Sequence, residues 1–419
     1  MDETQTPTTA TGRVLATLFL GMFVMGSTEL LVVGLLDLMA ADLGLAIPAA
    51  GTLVTVYALG LAIGGPVLTA VTVAFGRRTV LVGALALFVV TTAASASTSH
   101  VGLLLAVRGL TGALQGVFIA AAFSLGTAVA PPARAGRAIA VVMSGVTVSG
   151  ALGVPLGTLA GQTIGWRGSF WAAAGLAVVV LALGLALLPA VPGSGAGVGK
   201  QAASAFGPRV LVVLLLTTMA FAAVYAALTY VVPYLRDVTG VPADVVGAYL
   251  LAYGVAAAGG AALGGRFADA RAAVTLVVGC AGVAGSLAVW HLGGTVPAVV
   301  ALAVVAAGLC LMAMAPSMQV RVVELAGAGG ALAQSLPASA ANVGIAVGSW
   351  VGGLAVAGAS TPGAPAAVVA AVPAGIALAL AAIPVAWMSR RLRPPATRAT
   401  AAVVASRDEP TVTPERQVA

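Results

Sequence analysis

Two charged side chains stand where their setting makes chemistry possible. Glu29 lies in FVMGSTELLVVGL (residues 23–35) and Arg108 in LLLAVRGLTGALQG (residues 103–116). A charge at the centre of a membrane-crossing helix costs roughly 2.5–3.5 kcal/mol even on insertion scales. A carboxyl group placed there has a partner, is kept neutral, or alternates between the two. A permanent Glu29–Arg108 ion pair would be structural, each group satisfying the other. Uptake and release of a proton would be functional, and intramembrane carboxylates mark ion and substrate paths. The depths allow the two to meet. Glu29 lies sixteen residues past Arg13, and Arg108 six residues past Gly102 from the opposite side. At about 1.5 Å per residue these are roughly 24 Å and 9 Å. In a hydrocarbon core of about 30 Å they agree to within about a helical turn. Asp37 reads as a wet flank at the mouth of the first span.

Around this pair, Tyr57, Gln115, Phe118, Tyr225, Met314 and Asn342 are the polar, aromatic and thioether groups expected to line a substrate cavity. Together they suit a bulky, largely apolar ligand with a few hydrogen-bonding groups. Other chemistries find no support. GSGAGVGKQ, residues 193–201, has the wrong glycine spacing for a phosphate loop, and Gln201 replaces the Ser/Thr that would hold Mg²⁺. There is no H-E-x-x-H and no G-x-S-x-G. The two cysteines, Cys280 and Cys310, sit in apolar runs and give no disulfide framework or metal cluster. The reading is therefore no enzyme, no metal and no cofactor, and any transport must draw on a gradient.

The elements that position these residues follow from composition. Of 419 residues 60% are hydrophobic and 7% charged, against about 25% charged in a soluble domain. Residues 1–12 are acidic and threonine-rich, and the apolar run from Val14 is too long for the core of a signal peptide. It reads as the first true span. Windows of about 20 apolar residues predict twelve helices, at 14–36, 50–72, 79–97, 101–125, 138–160, 168–189, 209–233, 244–265, 273–292, 296–319, 334–357 and 365–388. With the N-terminus inside, sixteen basic residues fall on inner segments and only Arg167 and Arg236 on outer loops. This positive-inside bias predicts both termini in the cytoplasm. The net charge of +7 is then a topology signal and not a sign of nucleic-acid binding.

The chain divides into a tail (1–13), a six-helix bundle (14–189), a flexible Gly/Ala/Ser/Pro linker (190–208), a second bundle (209–389) and a disordered basic tail (390–419). IPAAGTLVTVYALGLAIGG in the first bundle echoes VPADVVGAYLLAYGVAAAGG in the second, an internal repeat typical of transporters. Gly153, Gly157 and Gly161 recur every fourth residue, as do Gly344, Gly348 and Gly352. Each set makes a bare stripe on one helix face, and their matched positions suggest a sliding surface between the bundles. Pro155 in the first stripe frees a backbone carbonyl.

Several stretches resemble the major facilitator superfamily, in particular its bacterial twelve-span drug:proton antiporters. GSTELLVVGLLDLMAADLG resembles the first span, RGLTGALQG the basic motif of span 4, GVPLGTLAG with GWRGSFW the span 5 motif and the start of span 6. AANVGIAVGSWVGG resembles span 11 of the subgroup holding chloramphenicol, sugar and purine exporters. The resemblance covers about residues 14–390. It implies an all-α fold of two pseudo-symmetric six-helix bundles and alternating access about a central cavity. It also implies proton coupling at Glu29 and Arg108, a monomer, and the bacterial inner membrane. Gly76, Arg77 and Arg78, with Arg266, Asp269 and Arg271 in the second bundle, match the family's cytoplasmic gating loops. Val73 and Ala74 stand where the family carries an acidic and a basic residue, so the first loop is an incomplete latch. The expected activity is proton-coupled export of small, fairly apolar compounds such as chloramphenicol. Export of sugars or purine nucleosides is the alternative, while a passive channel or a membrane sensor lacks its filter motif or soluble domain. A sugar site would need more hydrogen-bonding side chains than these spans offer.

Overall fold

The computed structural model describes residues 6–72, 74–131, 135–192, 207–326, 330–359 and 365–392. Among these there is no strand, and the chain makes twelve helical crossings. In the first half α1 is Thr6–Leu43, α2 Ile47–Thr72, α3 Arg77–Ser97 and α4 Val101–Val129. Helix α5 starts as Ala135–Val148, passes a π turn at Ser149–Gly153, and enters a helical stretch Val154–Leu187. Gly165 (φ 74°, ψ 161°) interrupts that stretch and separates α5 from α6. Only a residue without Cβ takes this backbone freely. The second half holds α7 (Pro208–Asp237), α8 (Ala243–Phe267), α9 (Arg271–Leu292), α10 (Pro297–Ala326), α11 (Gly330–Ala357) and α12 (Ala371–Arg390). Eleven helical stretches are long and apolar enough to cross a membrane, and the shorter Ala138–Gly153 leads α5. With an even number of crossings, both ends of the chain share one face, here the terminal face.

Two π turns occupy matching places. Gly60–Gly64 in α2 precedes Pro66 by two residues, and Ser149–Gly153 in α5 precedes Pro155 by two. A proline inside a helix leaves the carbonyl four residues back without its donor. The widened π turn takes up that defect locally. Both helices lie at the seam between the halves, α2 against α11 and α5 against α8.

The glycine stripes face elsewhere. A methyl group on Gly153 would run into Ser27, one on Gly157 into Leu31, and one on Gly161 into Leu35, all on α1. On Gly344, Gly348 and Gly352 it would meet the α7 backbone at Thr218, Ala222 and Ala226. Each stripe thus packs a helix inside its own bundle, and the expected sliding surface between bundles is corrected. Spacing reveals a bare face but not which neighbour occupies it. The seam uses the other side of α5, where the Gly150 carbonyl and Ala151 lie against Gly254 of α8.

The apolar core is unevenly divided. On the face opposite the termini, Leu31 to Ala40, Leu53, Trp166 and Phe170 of the first half join Leu228, Tyr234, Leu250, Leu287 and Ala371 of the second in one continuous cluster. Towards the terminal face the halves separate. One cluster around Leu18, Met22, Phe88, Phe118 and Leu125 belongs to the first half alone. Another around Val210, Val213, Val322 and Leu325 belongs to the second.

Candidate functional site

Helices α1, α2, α4 and α6 of the first half converge on Arg108, whose side chain is fully buried. It does not form an ion pair with the Glu29 carboxylate among the described residues. Its two terminal nitrogens donate to backbone carbonyls of α1, Thr28 O at 3.1 Å and Glu29 O at 3.4 Å. The guanidinium lies 4.1 Å above the Tyr57 ring and 5.9 Å from that of Phe170. Carbonyl oxygens and aromatic faces are the neutral partners that hold a cation out of water. The Nε of Arg108 is buried without a hydrogen-bond partner.

Glu29 is only half-buried. Its Oε2 accepts a hydrogen bond from Gln115 Nε2 at 2.8 Å, and the Tyr57 hydroxyl donates to Gln115 Oε1. The result is a chain, Tyr57 to Gln115 to Glu29, with one amide relaying between phenol and carboxyl. The permanent ion pair is therefore corrected: the matching depth brings Arg108 to the α1 backbone, while the carboxyl turns to an uncharged neighbour. Tyr57 and Gln115 are buried in this network. Close helix packing makes the reach possible. The Gly112 position of α4 abuts the Tyr57 carbonyl of α2, and Gly65 and Gly116 face each other, so these two backbones nearly touch.

Across the seam, Tyr225 of α7 stacks on Phe221 with centroids 6.5 Å apart. A cavity of about 30 Å³ next to this region is lined by Leu30, Val33, Gly150, Leu228, Leu250 and Tyr253, from both halves. Asn342 donates to Ala338 O on its own helix at 3.0 Å and leaves Oδ1 buried without a partner. Two expected cavity residues are packing residues instead. Phe118 fills the space beside Gly21 of α1, and Met314 is wedged against Gly279 with its sulfur 3.8 Å from Cys280 Sγ. Both are buried, Phe118 in the first-half cluster and Met314 in the cluster shared by the two halves. An apolar side chain on a span has no marker in sequence for whether it faces a cavity or a neighbouring helix.

The expected gating residues at the start of α3 make contacts within the first half. Gly76 caps α3, Arg77 N donates to Val191 O at 2.8 Å, and Arg78 donates to Leu185 O at 2.6 Å. They tie the start of α3 to the end of α6. Ala74 is in the turn before them, and Val73 lies outside the described residues. Arg266 is exposed, Arg271 sits at the break between α8 and α9 (φ −139°), and the Asp269 side chain is outside the described set.

On the opposite face, sequence reasoning missed several links. Asp37 is no wet flank: it pairs with Arg236 of α7, across the two halves. Asp42 accepts from Arg167 and from Trp166 Nε1, and Arg167 also donates to Ser99, binding α1, α6 and the α3–α4 turn. Gln162 donates to Ala243 O of the other half at 2.6 Å. Arg167 and Arg236 stood out only as the two basic residues outside the inner segments.

The matches to known proteins agree with this architecture. The family model of the Major Facilitator Superfamily matches residues 18–336. An inner membrane transport protein of Escherichia coli (strain K12), YdhP, is 33% identical over 363 residues, 82% of this chain and 88% of that protein. A chloramphenicol resistance protein of Streptomyces lividans is 33% identical over 267 residues, 61% of this chain and 66% of that protein. A bacterial homologue of the human lysosomal transporter Spinster, solved in an inward-facing and occupied conformation, superposes with a TM-score of 0.74 at 17% identity. The superposition covers 91% of this chain and 97% of that one. With twelve crossings in two bundles and a family match over most of its length, this chain belongs to the Major Facilitator Superfamily of membrane transporters.

Proposed function

We propose that the protein is a proton-coupled exporter of small, fairly apolar compounds that works by alternating access, with amphenicols such as chloramphenicol the leading substrates. Both termini are cytoplasmic in this reading, on the count of basic residues, and the membrane is the bacterial inner membrane. The observation that carries the proposal is the Glu29 carboxyl, partly buried and bonded to neutral Gln115 while Arg108 is held separately by carbonyls. A carboxyl whose partner is neutral can change protonation without breaking an ion pair. The fixed guanidinium nearby favours its charged form, and the apolar surroundings favour the neutral one. A shift of α1 against α7 alters that balance and so links proton transfer to the conformational cycle. The relative in Streptomyces lividans supports the drug assignment, and the polar side chains here bond to one another, leaving few to recognise a sugar.

Everted vesicles bearing a proton gradient test this. Chloramphenicol is expected to provoke proton release from wild-type vesicles and none from Glu29→Gln, with both proteins present and folded. Full release from Glu29→Gln would remove Glu29 from the coupling role. Release from neither would shift the substrate towards metabolites.

A further inference from the structure

The face opposite the termini is closed by a joint that neither the family match nor the coupling site accounts for. At a turn in α7, Tyr230 is 1% exposed, and its hydroxyl donates to Ser349 O of α11 at 2.9 Å. Ser349 is fully buried, and its own hydroxyl donates across the seam to Gly51 O of α2 at 3.0 Å. A side chain on Gly51 or on Gly353 would overlap the Tyr230 hydroxyl. The phenol of one half is thus seated in a slot made by a glycine from each half, and two hydrogen bonds thread α7, α11 and α2 together. On the terminal face, Arg78 and Arg321 donate to carbonyls of their own halves.

We propose that Tyr230, seated between Gly51 and Gly353 and relayed through Ser349, is the positioning residue that seals this mouth. Its departure from the slot is then the step that opens the mouth to the outside. The proposal rests on the alternating-access reading but not on the substrate or on proton coupling. Opening this face separates α2 from α11, so it must break the Ser349–Gly51 bond and withdraw the phenol. Opening exchanges these two bonds and the packed ring for water, and an internal hydrogen bond keeps a modest net advantage over one to water, which makes the closed state the one these residues favour.

The test measures access to the centre without any transport. Val33 lines the small cavity at the seam and lies ten residues before the end of α1, about 15 Å below the mouth. Val33→Cys is placed in the full-length protein in vesicles oriented with the termini inside. The rate of labelling by a charged, membrane-impermeant thiol reagent added outside is read as the excess over protein lacking that cysteine. Tyr230→Phe, which keeps the ring and loses the bond, is expected to raise the rate about threefold to tenfold, the population shift expected from one hydrogen bond. Gly51→Ala wedges the slot by a different route and is expected to raise it as well. Gln162→Ala, which removes a rim contact only, is expected to leave it near the wild-type value. Unchanged labelling in both Tyr230→Phe and Gly51→Ala, with wild-type melting, overturns the proposal. An equal rise in Gln162→Ala would also overturn it, since the seal would then not reside at Tyr230. Failure of chloramphenicol-driven proton release would leave these rates unaffected, so the two readings fail separately.

Discussion

At the residue scale, the central question is what a buried arginine does when it does not neutralise the nearby carboxylate. Arg108 spends its donors on two carbonyls and its charge on aromatic faces. Those partners need a planar fork, which lysine lacks. Arg108→Lys is therefore expected to destabilise the protein by about 1–3 kcal/mol, read as a lowered melting temperature in detergent, despite the conserved charge. Gln115→Leu breaks both links of the Tyr57–Gln115–Glu29 chain at once. It is expected to cost about 1–3 kcal/mol, the penalty of unpaired buried groups, and to lower proton-driven efflux tenfold or more. Melting as stable as wild type would mean that the chain is not a native feature. Glu29, Arg108 and Gln115 were legible in sequence because charge and amide groups inside an apolar run announce themselves. Their mutual bonding was not legible. Depth along two helices predicts proximity, and only the rotation of each helix decides whether a guanidinium meets a carboxylate or the backbone behind it.

At the element scale, the glycine stripes and the π turns have different duties. The stripes pack α5 on α1 and α11 on α7, and their neighbours differ in what can yield. Gly157 faces the tip of the Leu31 side chain, whereas Gly348 faces the Ala222 backbone. Gly348→Ala is accordingly expected to lower stability more than Gly157→Ala, by about 1–3 kcal/mol for the overpacked backbone, as measured by thermal unfolding. Equal effects would count against the stripe geometry. The π turns before Pro66 and Pro155 interrupt the two first-half helices at the seam. Replacing Pro155 by alanine restores a donor and lets α5 close into a regular helix. The expectation is slower transport with an unchanged or raised melting temperature. Twelve crossings were readable from hydropathy alone because each must satisfy its backbone within the bilayer. The near-continuous α5–α6 stretch was not, because its break depends on one glycine conformation at Gly165.

At the scale of the whole molecule, the halves are fused at one face and independent at the other. Asp37 and Arg236 bridge them at the fused face. Cysteines at these two positions, joined by a cleavable thiol cross-linker about as long as the two native side chains, are expected to halt transport until the linker is cleaved. Continued transport with the bridge formed would show that this face need not open. The repeat, the linker and the basic bias gave away two bundles, but nothing in a linear chain says which end of a seam is shut. That information lies in contacts such as Ser349 with Gly51, nearly 300 positions apart. The divided core has a mechanical consequence as well. Both chain ends emerge on the face where each bundle keeps its own small cluster. A pull between the two ends therefore loads the molecule like a book held by its covers. The bundles part first along the loosely joined side, and the spine, where the large shared cluster lies, gives way last, after which helices leave the bilayer one bundle at a time.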